Sequence, residues 1–433
     1  MRTTLLVSLI VLAAAMPAAA DTLPQAMADA VQSNPTLAAQ RQRLAATREA
    51  LPQAWAAALP QVSASASATS ADRELATTTG AGRSETYSAG LSASQLLFGS
   101  GSVLASTRGA RAQIRGAVAN YDLATQSLLL DVTSAYANVR QANAVVAARQ
   151  ITVDNLSTLF DYAQAQFDAG VVTRTDVAQS QARLAQARTQ LVQAQGLLAA
   201  SVQTYARLVG RPPSDLQPPP TTPGLPTDLE TALQTAGTQS PLLRSAIAAT
   251  EAADANVALA ASAGGPRVTL EAGSSLAGDF NVDDAERNGD SVGVRFSMPL
   301  FQGGAIQSRT RQQRALRAAS NLDLAAAQRQ VQENVTTAWT NLASARAAVQ
   351  SAREQVDAAE LAYEGVRLEQ ETGLRSTVEV LDQEQDLLTA RLAAAQAERD
   401  LVVAERQMLA AIGTLTAEPE QTGARPDDSL RGR

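Results

Sequence analysis

The chain has 433 residues with 35 basic and 42 acidic side chains, no histidine and no cysteine, for a formal net charge of −7. The missing imidazole removes the Ser-His-Asp triad and ordinary zinc sites, and the missing thiol removes disulfides, thiolate nucleophiles and an acylated N-terminal cysteine. An acidic chain with 3% aromatic residues has neither the basic surface nor the stacking platforms of a nucleic-acid binder.

Taken in chain order, the first element is a secretory signal over residues 1–20. Arg2, an apolar run from Leu5 to Met16 and Ala18-Ala19-Ala20 give the expected charge, core and cleavage site before Asp21. No later segment holds the ~18 uninterrupted apolar residues of a transmembrane helix, so the exported chain either stays soluble or enters a membrane as β-strands.

A first repeat spans 21–210. It opens with LPQAMADAVQSNPTL and helical sequence up to Pro60. LPQVSASASATS (59–70) and TYSAGLSASQLLF (86–98) then alternate small or apolar with polar residues, which predicts a β-hairpin over about 61–98 with a polar connection at about 71–85. Between Gly99 and Gly170, Val132, Val139, Val146, Val153 and Phe160 recur every seven residues, the seam of a coiled-coil helix. A mostly helical segment of that length would measure roughly 100 Å. Gly170 marks a turn, Thr173-x-x-Asp176 reads as a capping box, and a further helix runs to Gly210. The Pro-rich stretch 211–227 cannot continue a helix and is expected to bridge outside the helical layer.

A second repeat spans 228–413. Leu23, Ala26 and Pro35 recur as Leu229, Ala232 and Pro241 at an offset of 206, while Gly90, Gly170 and Gly210 recur as Gly293, Gly373 and Gly413 at 203. RVTLEAGSS (267–275) and SVGVRFSMPLF (291–301) supply the second hairpin, connected by a polar stretch at about 276–290. In the last strand Val292, Val294, Phe296, Met298 and Leu300 point one way and Ser291, Gly293, Arg295 and Ser297 the other. The second long helix carries Val335, Leu342, Val349, Val356 and Tyr363, interleaved with Val331, Ala338, Ala345, Ala352, Ala359 and Val366. Residues 414–433 are polar and are expected to be disordered. The shorter helical pieces of each repeat, laid end to end, nearly match its long helix. Four strands cannot close a barrel in lipid, so the strands must be shared among subunits, and three copies would give 12.

This layout resembles the TolC-type outer-membrane factor family over almost all of the mature chain. The carriers are LPQAMADAVQSNPTL, FDAGVVTRTDV (167–177), VGVRFSMPLFQGG (292–304) and TGLRSTVEVLDQEQDLLTA (372–390), in that order and spacing. The resemblance implies a mainly α fold with a small β part. A long antiparallel coiled-coil barrel would join a transmembrane β-barrel shared among three protomers, four strands each. It implies a homotrimeric exit duct in the outer membrane, extending into the periplasm. Its partners would be a periplasmic adaptor and an inner-membrane efflux or ABC transporter, with no catalysis and no cofactor.

The same resemblance points to a closed entrance at the helix tips. Val378-Glu379-Val380-Leu381-Asp382 is similar to the family's pore-facing pattern with two acidic positions, and rings of carboxylates there would favour cations. Arg375 matches a tip arginine that ties neighbouring helices, Asp161 an acidic partner on the preceding helix, and Gln370 stands where a tyrosine is expected. Ser376-x-x-Glu379 is equally a capping box, so Glu379 is open to either role on its own pattern. The adaptor is expected at the hairpin ends, Gly170, Val171 and Thr173 with Gly373 and Leu374. The rival reading is a soluble periplasmic coiled-coil adaptor or scaffold. Such adaptors have one helical hairpin between compact β-domains, whereas this chain has two equivalent hairpins and amphipathic strands.

Overall fold

The computed structural model describes residues 21–73, 82–220, 222–280 and 286–417. The expected signal segment, the hairpin tips 74–81 and 281–285, and the tail beyond Ala417 lie outside the described residues. In the first repeat, α1 (Leu23–Ser33), α2 (Pro35–Arg48) and α3 (Ala50–Ala56) lead into β1 (Gln61–Arg73), β2 (Gly82–Phe98), α4 (Ser102–Asp168) and α5 (Arg174–Val209). In the second, α6 (Leu229–Gln239) and α7 (Pro241–Ser262) lead into β3 (Arg267–Asp279), β4 (Arg287–Ser297), α8 (Ala305–Glu371) and α9 (Thr377–Ile412). α4 and α8 have 67 residues each, and α5 and α9 have 36 each. Pro35 and Pro241 open their helices, where a missing N–H costs nothing. Gly210 and Gly413 end theirs at φ 91° and 85°, a left-handed conformation that glycine adopts without strain.

The chain forms two compact units, and each takes the corresponding part of both repeats. Among the described residues, one comprises those of 21–38, 124–240 and 332–417; the other, bearing the sheet, comprises those of 39–123 and 241–331.

In the sheet-bearing unit the four strands pair antiparallel in the order β1-β2-β3-β4. Pairing such as Ser63↔Ser92, Gly90↔Ser275 and Glu271↔Gly293 places serines, glycines and the Glu271–Arg295 ion pair on one face. Hydroxyl pairs Ser63–Ser92 at 2.8 Å and Ser67–Ser88 at 2.9 Å lie on that face. The other face carries Val62, Leu91, Val292, Val294 and Phe296, all at least half exposed. Tyr87, paired with Gly278, spreads its ring over the glycine, where a Cβ would come within 2.3 Å of the phenol oxygen. It also packs on Phe280 at a centroid distance of 4.8 Å. Beside the strands, Gly109 and Gly116 of α4 face Ala255 and Ala248 of α7, so these helices meet through small residues at ordinary contact distance.

The strand limits differ from the sequence expectation. The ladders continue through Arg73↔Gly82 and Ala277↔Arg287, so the connections are shorter than 71–85 and 276–290. Polar residues stay paired there because backbone bonding, not side-chain burial, sustains the ladder. β4 stops at Ser297, leaving Met298 and Leu300 beyond it; Pro299 has no N–H to give. Among the described residues no helix is long and apolar enough to cross a membrane.

In the other unit the heptad series is the core. Val132, Val139, Val335, Leu342 and Val349 are buried, with Ala338 and Ala352 between turns of the second seam. The Pro-rich linker is pinned rather than loose. Arg211 binds Asp21 at 2.7 Å and Asp29 at 2.9 Å, and the Tyr136 hydroxyl lies 2.8 Å from the Asp21 carbonyl and 2.6 Å from that of Gln217. Buried Thr222 binds Glu405 and Arg406 of α9. Leu415, within the segment expected to be a disordered tail, is buried.

Burial pushes the Asp21 carboxyl up, but hydrogen bonds from Arg211 and Ser214 outweigh it and hold it below its ordinary value. Arg211→Ala should therefore strand a buried carboxylate and cost about 2 kcal/mol, less than a fully buried pair because Arg211 is partly exposed. The midpoint of thermal unfolding in detergent would fall, with Arg211→Lys intermediate. Because the folded-state value is lowered, the wild-type advantage is full above pH 3.8 and fades as pH drops through the folded value.

Candidate functional site

The tips of the two helical hairpins are built alike. At each, a glycine with positive φ (Gly170 at 78°, Gly373 at 80°) ends the long helix. The following N–H turns back: Val171 to Gln166 and Leu374 to Glu369, both at 2.9 Å. These are Schellman closures, which satisfy carbonyls the helix end would otherwise leave open. The apolar side chains of Val171 and Leu374 are 71% and 76% exposed, so each hairpin presents one greasy residue at its extremity.

The return helices begin with reciprocal caps. Asp176 N donates to Thr173 Oγ1 at 3.4 Å while Thr173 N donates to Asp176 Oδ2 at 2.9 Å. Glu379 N donates to Ser376 Oγ at 3.4 Å while Ser376 N donates to Glu379 Oε2 at 2.9 Å. Glu379 also accepts from Arg375 through its other oxygen, Oε1, at 2.7 Å, and Arg375 reaches Glu369 at 2.8 Å. The backbone hydrogen bond from Ser376, then those from Arg375 and the Ser376 hydroxyl, hold the Glu379 carboxyl down to about 2.

The remaining residues singled out from the sequence are distributed as follows. Asp382, one turn on, is exposed and reaches Arg183 of α5 at 3.4 Å. Gln370 is buried and donates to Thr377 Oγ1 at 3.2 Å, within its own hairpin. Asp161 is exposed on α4 and engages neither Gln370 nor Arg375. Within one copy, then, Arg375, Glu379 and Glu369 are brought together, whereas Asp161 and Asp382 stand apart from them.

One residue absent from the sequence reading is Glu384. It is 1% exposed on α9, beside a core made by Leu156, Leu184, Leu191, Val380 and Leu381. Asn155 Nδ2 donates to its Oε2 at 3.0 Å, while Oε1 has no partner. Burial pushes its carboxyl above 4.5 despite that bond, and burial likewise pushes the Tyr363 phenol up to about 12. The signal was present in the spacing: Leu381, Glu384 and Leu388 share one helical face. Among the described residues no cluster of three acidic side chains is placed to hold a metal ion.

Glu384 therefore opposes Glu379 in its response to pH. A raised folded-state value means its contribution is full below pH 4.5 and lost as pH rises through the folded value. Glu384→Gln, which mimics the protonated form, should melt near the wild-type midpoint at pH 4.5 and increasingly above it toward pH 8, as read by thermal denaturation at matched salt.

With this geometry in place, the chain can be compared with known proteins. A family model described as "Outer membrane efflux protein" matches residues 26–211 and 232–414. The outer membrane efflux protein BepC of Brucella suis biovar 1 is 30% identical over 334 residues, covering 77% of this chain and 73% of that one. The outer membrane protein TolC of Vibrio cholerae is 26% identical over 411 residues, covering 92% of both. The outer-membrane channel OprN superposes with a TM-score of 0.77 at 24% identity, covering 90% of both chains.

Proposed function

The chain belongs to the outer membrane efflux protein family, and on that premise we propose that three copies assemble into a passive duct gated at the hairpin tips. The family consists of outer-membrane channel proteins, not enzymes, and this chain is one of them. The trimer, the gate and the partner proteins are the further step.

The observation that carries the step is the sheet. It has a serine-rich face, an exposed apolar face and two edges, β1 and β4. In hydrocarbon an open edge leaves N–H and C=O groups without partners, at several kcal/mol each. Pairing β4 of one copy with β1 of the next removes every edge, turns the apolar face to lipid and the wet face to a water-filled bore. Three copies supply 12 strands, within the range of bacterial barrels. Strands of 11 to 17 residues meet or exceed the ~9–11 needed to cross the bilayer.

The helices would then continue the bore into the periplasm, with the tips as its entrance. Passage needs no covalent step; a pump in the inner membrane supplies the energy, joined through a periplasmic adaptor. The exposed Val171 and Leu374, beside Gly170, Thr173 and Gly373, offer that adaptor an apolar contact repeated around the trimer. Glu379 and Asp382 would form two rings of carboxylates near the constriction, attracting cations. Arg375 would hold the tips closed, either by stiffening its own hairpin or by pairing across copies. Gln370 and Asp161 would contribute hydrogen bonding around that latch. The substrate would be whatever the pump delivers, a small molecule or a secreted polypeptide.

Planar-bilayer recordings test the reading. Wild-type protein should give cation-selective channels. Glu379→Gln keeps a residue able to complete the cap and removes only the charge; combined with Asp382→Asn it should abolish most of the selectivity. Unchanged selectivity would leave Glu379 as a cap alone. Arg375→Ser should raise the conductance of the resting channel, and an unaltered resting state would remove Arg375 from the gate.

A further inference from the structure

The sheet-bearing unit is the basic part of an acidic chain. Outside its strands, residues 39–60, 99–123, 241–266 and 302–331 hold 12 arginines and five acids, whereas the whole chain is net −7. The excess is concentrated where the long helices leave the sheet. Residues 102–121 contain Arg108, Arg111 and Arg115 and no acid; residues 305–322 contain Arg309, Arg311, Arg314 and Arg317 and no acid. Arg108 and Arg111 recur as Arg311 and Arg314 at the same offset of 203, so both repeats carry the pair.

Much of this charge is unmatched. Arg115 pairs with Glu251, Arg317 with Asp254 at 3.5 Å, and Arg244 with Asp122 at 2.5 Å, so three of the five acids are already engaged. Arg108, Arg111, Arg309, Arg311 and Arg314 are exposed, and none takes part in an ion pair among the described residues. Arg108 and Arg111 line an open groove of about 410 Å³ with Arg115, Glu251 and Asp254, whose two carboxylates are the ones already paired. A second copy of the chain cannot neutralise the excess, because it brings the same segments with the same surplus.

The position along the chain gives the partner. The apolar face ends at Phe98 and Phe296, both more than half exposed, with Trp55 nearby in sequence to the start of β1. At 1.5 Å per residue, Arg309 lies about 6 Å along α8, and Arg108 and Arg111 about 9 and 14 Å along α4. The headgroup layer extends roughly 5–8 Å past the hydrocarbon, and its field reaches about 8 Å further at physiological salt. Guanidinium groups in that layer bind phosphate through paired N–H donors.

We propose that Arg108, Arg111, Arg309, Arg311 and Arg314 bind the phosphate headgroups of anionic phospholipids in the periplasmic leaflet of the outer membrane. This rests on the reading that the sheet lies in lipid. The clustering fixes the barrel at its depth by charge where aromatic residues are few, and it needs no covalent anchor.

The full-length protein is reconstituted in phosphatidylcholine vesicles carrying a trace of spin-labelled phosphatidylglycerol or spin-labelled phosphatidylcholine, and the motionally restricted fraction of each label is measured. Wild-type protein should favour phosphatidylglycerol at least about threefold, the ratio falling toward one as salt is raised. The variant Arg108→Gln/Arg111→Gln/Arg311→Gln/Arg314→Gln should bring the ratio close to one at low salt, and the matching lysine variant should keep it. A wild-type ratio of one, with phosphatidylcholine restricted normally, overturns the proposal and leaves the membrane reading standing; restriction of neither lipid overturns both. A glutamine variant that keeps the lipid preference but changes the ion selectivity of the channel assigns these arginines to the bore and also overturns the proposal. Should the glutamine variant fail to assemble, a wild-type preference unaffected by salt has the same consequence.

Discussion

The sheet's open edges are the constraint to which everything else answers. An 11-residue edge strand directs roughly half its backbone polar groups outward, and at several kcal/mol per unpaired group the total exceeds the entire net stability of a typical domain. Side-chain transfer cannot compensate here. β1, QVSASASATSADR, offers lipid little beyond Val62 and alanine methyls, each too small to supply more than a fraction of that amount. In the proposed trimer, strands so poor in apolar area would persist in a membrane through their hydrogen bonds, and closure of the ring would complete those bonds. Serine serves that end on the inner face, where Ser63–Ser92 and Ser67–Ser88 add cross-strand hydroxyl bonds without bulk.

Closure of the proposed ring would favour copies whose two hairpins have the same geometry. The duplication meets this by pairing equal lengths: 67 residues against 67 in the long helices and 36 against 36 in the return helices. Close approach of the helices follows from residue size, with glycine facing alanine at the α4–α7 contact and alanine alternating with valine along α8. The linker between the repeats would be the weakest part of such a design. It is tied at one end by Arg211 to Asp21 and Asp29 and at the other by Thr222 to Glu405 and Arg406.

The repeat, the two-faced strands, the heptad seams and the capping boxes were legible in the sequence because each rests on local periodicity or a fixed short spacing. Strand ends were less so: the residues near Thr86 and Leu276 are polar or loop-like by composition, and only their cross-strand partners keep them extended. The burial of Thr222 and Arg406 depends on segments 184 residues apart, which no local pattern encodes. At the tips, the ion pair of Arg375 with Glu379 follows from their four-residue spacing, while within one copy Gln370 donates to Thr377, seven residues on. Glu384 was visible as an acid on an apolar face, and the expectation of a charged pore drew attention to the exposed acids before it.

Glu379 divides its two carboxylate oxygens between two partners. Its Oε2 closes the cap on Ser376, while Oε1 receives Arg375. The cap therefore does not depend on the arginine. Glu369 binds Arg375 through a different guanidinium nitrogen. The core around Glu384 carries the opposite electrostatic preference. Glu379 is most secure as a carboxylate, while Glu384, walled by Thr152 and Asn155 of α4, Tyr363 of α8 and the neighbouring Arg391 of α9, is most secure when protonated. Arg391 is drawn off by Glu360, and Arg183 of α5 by Asp382, so neither is fully committed to the buried carboxyl. A rise in pH therefore weakens the packing around Glu384 while leaving the Glu379 cap intact.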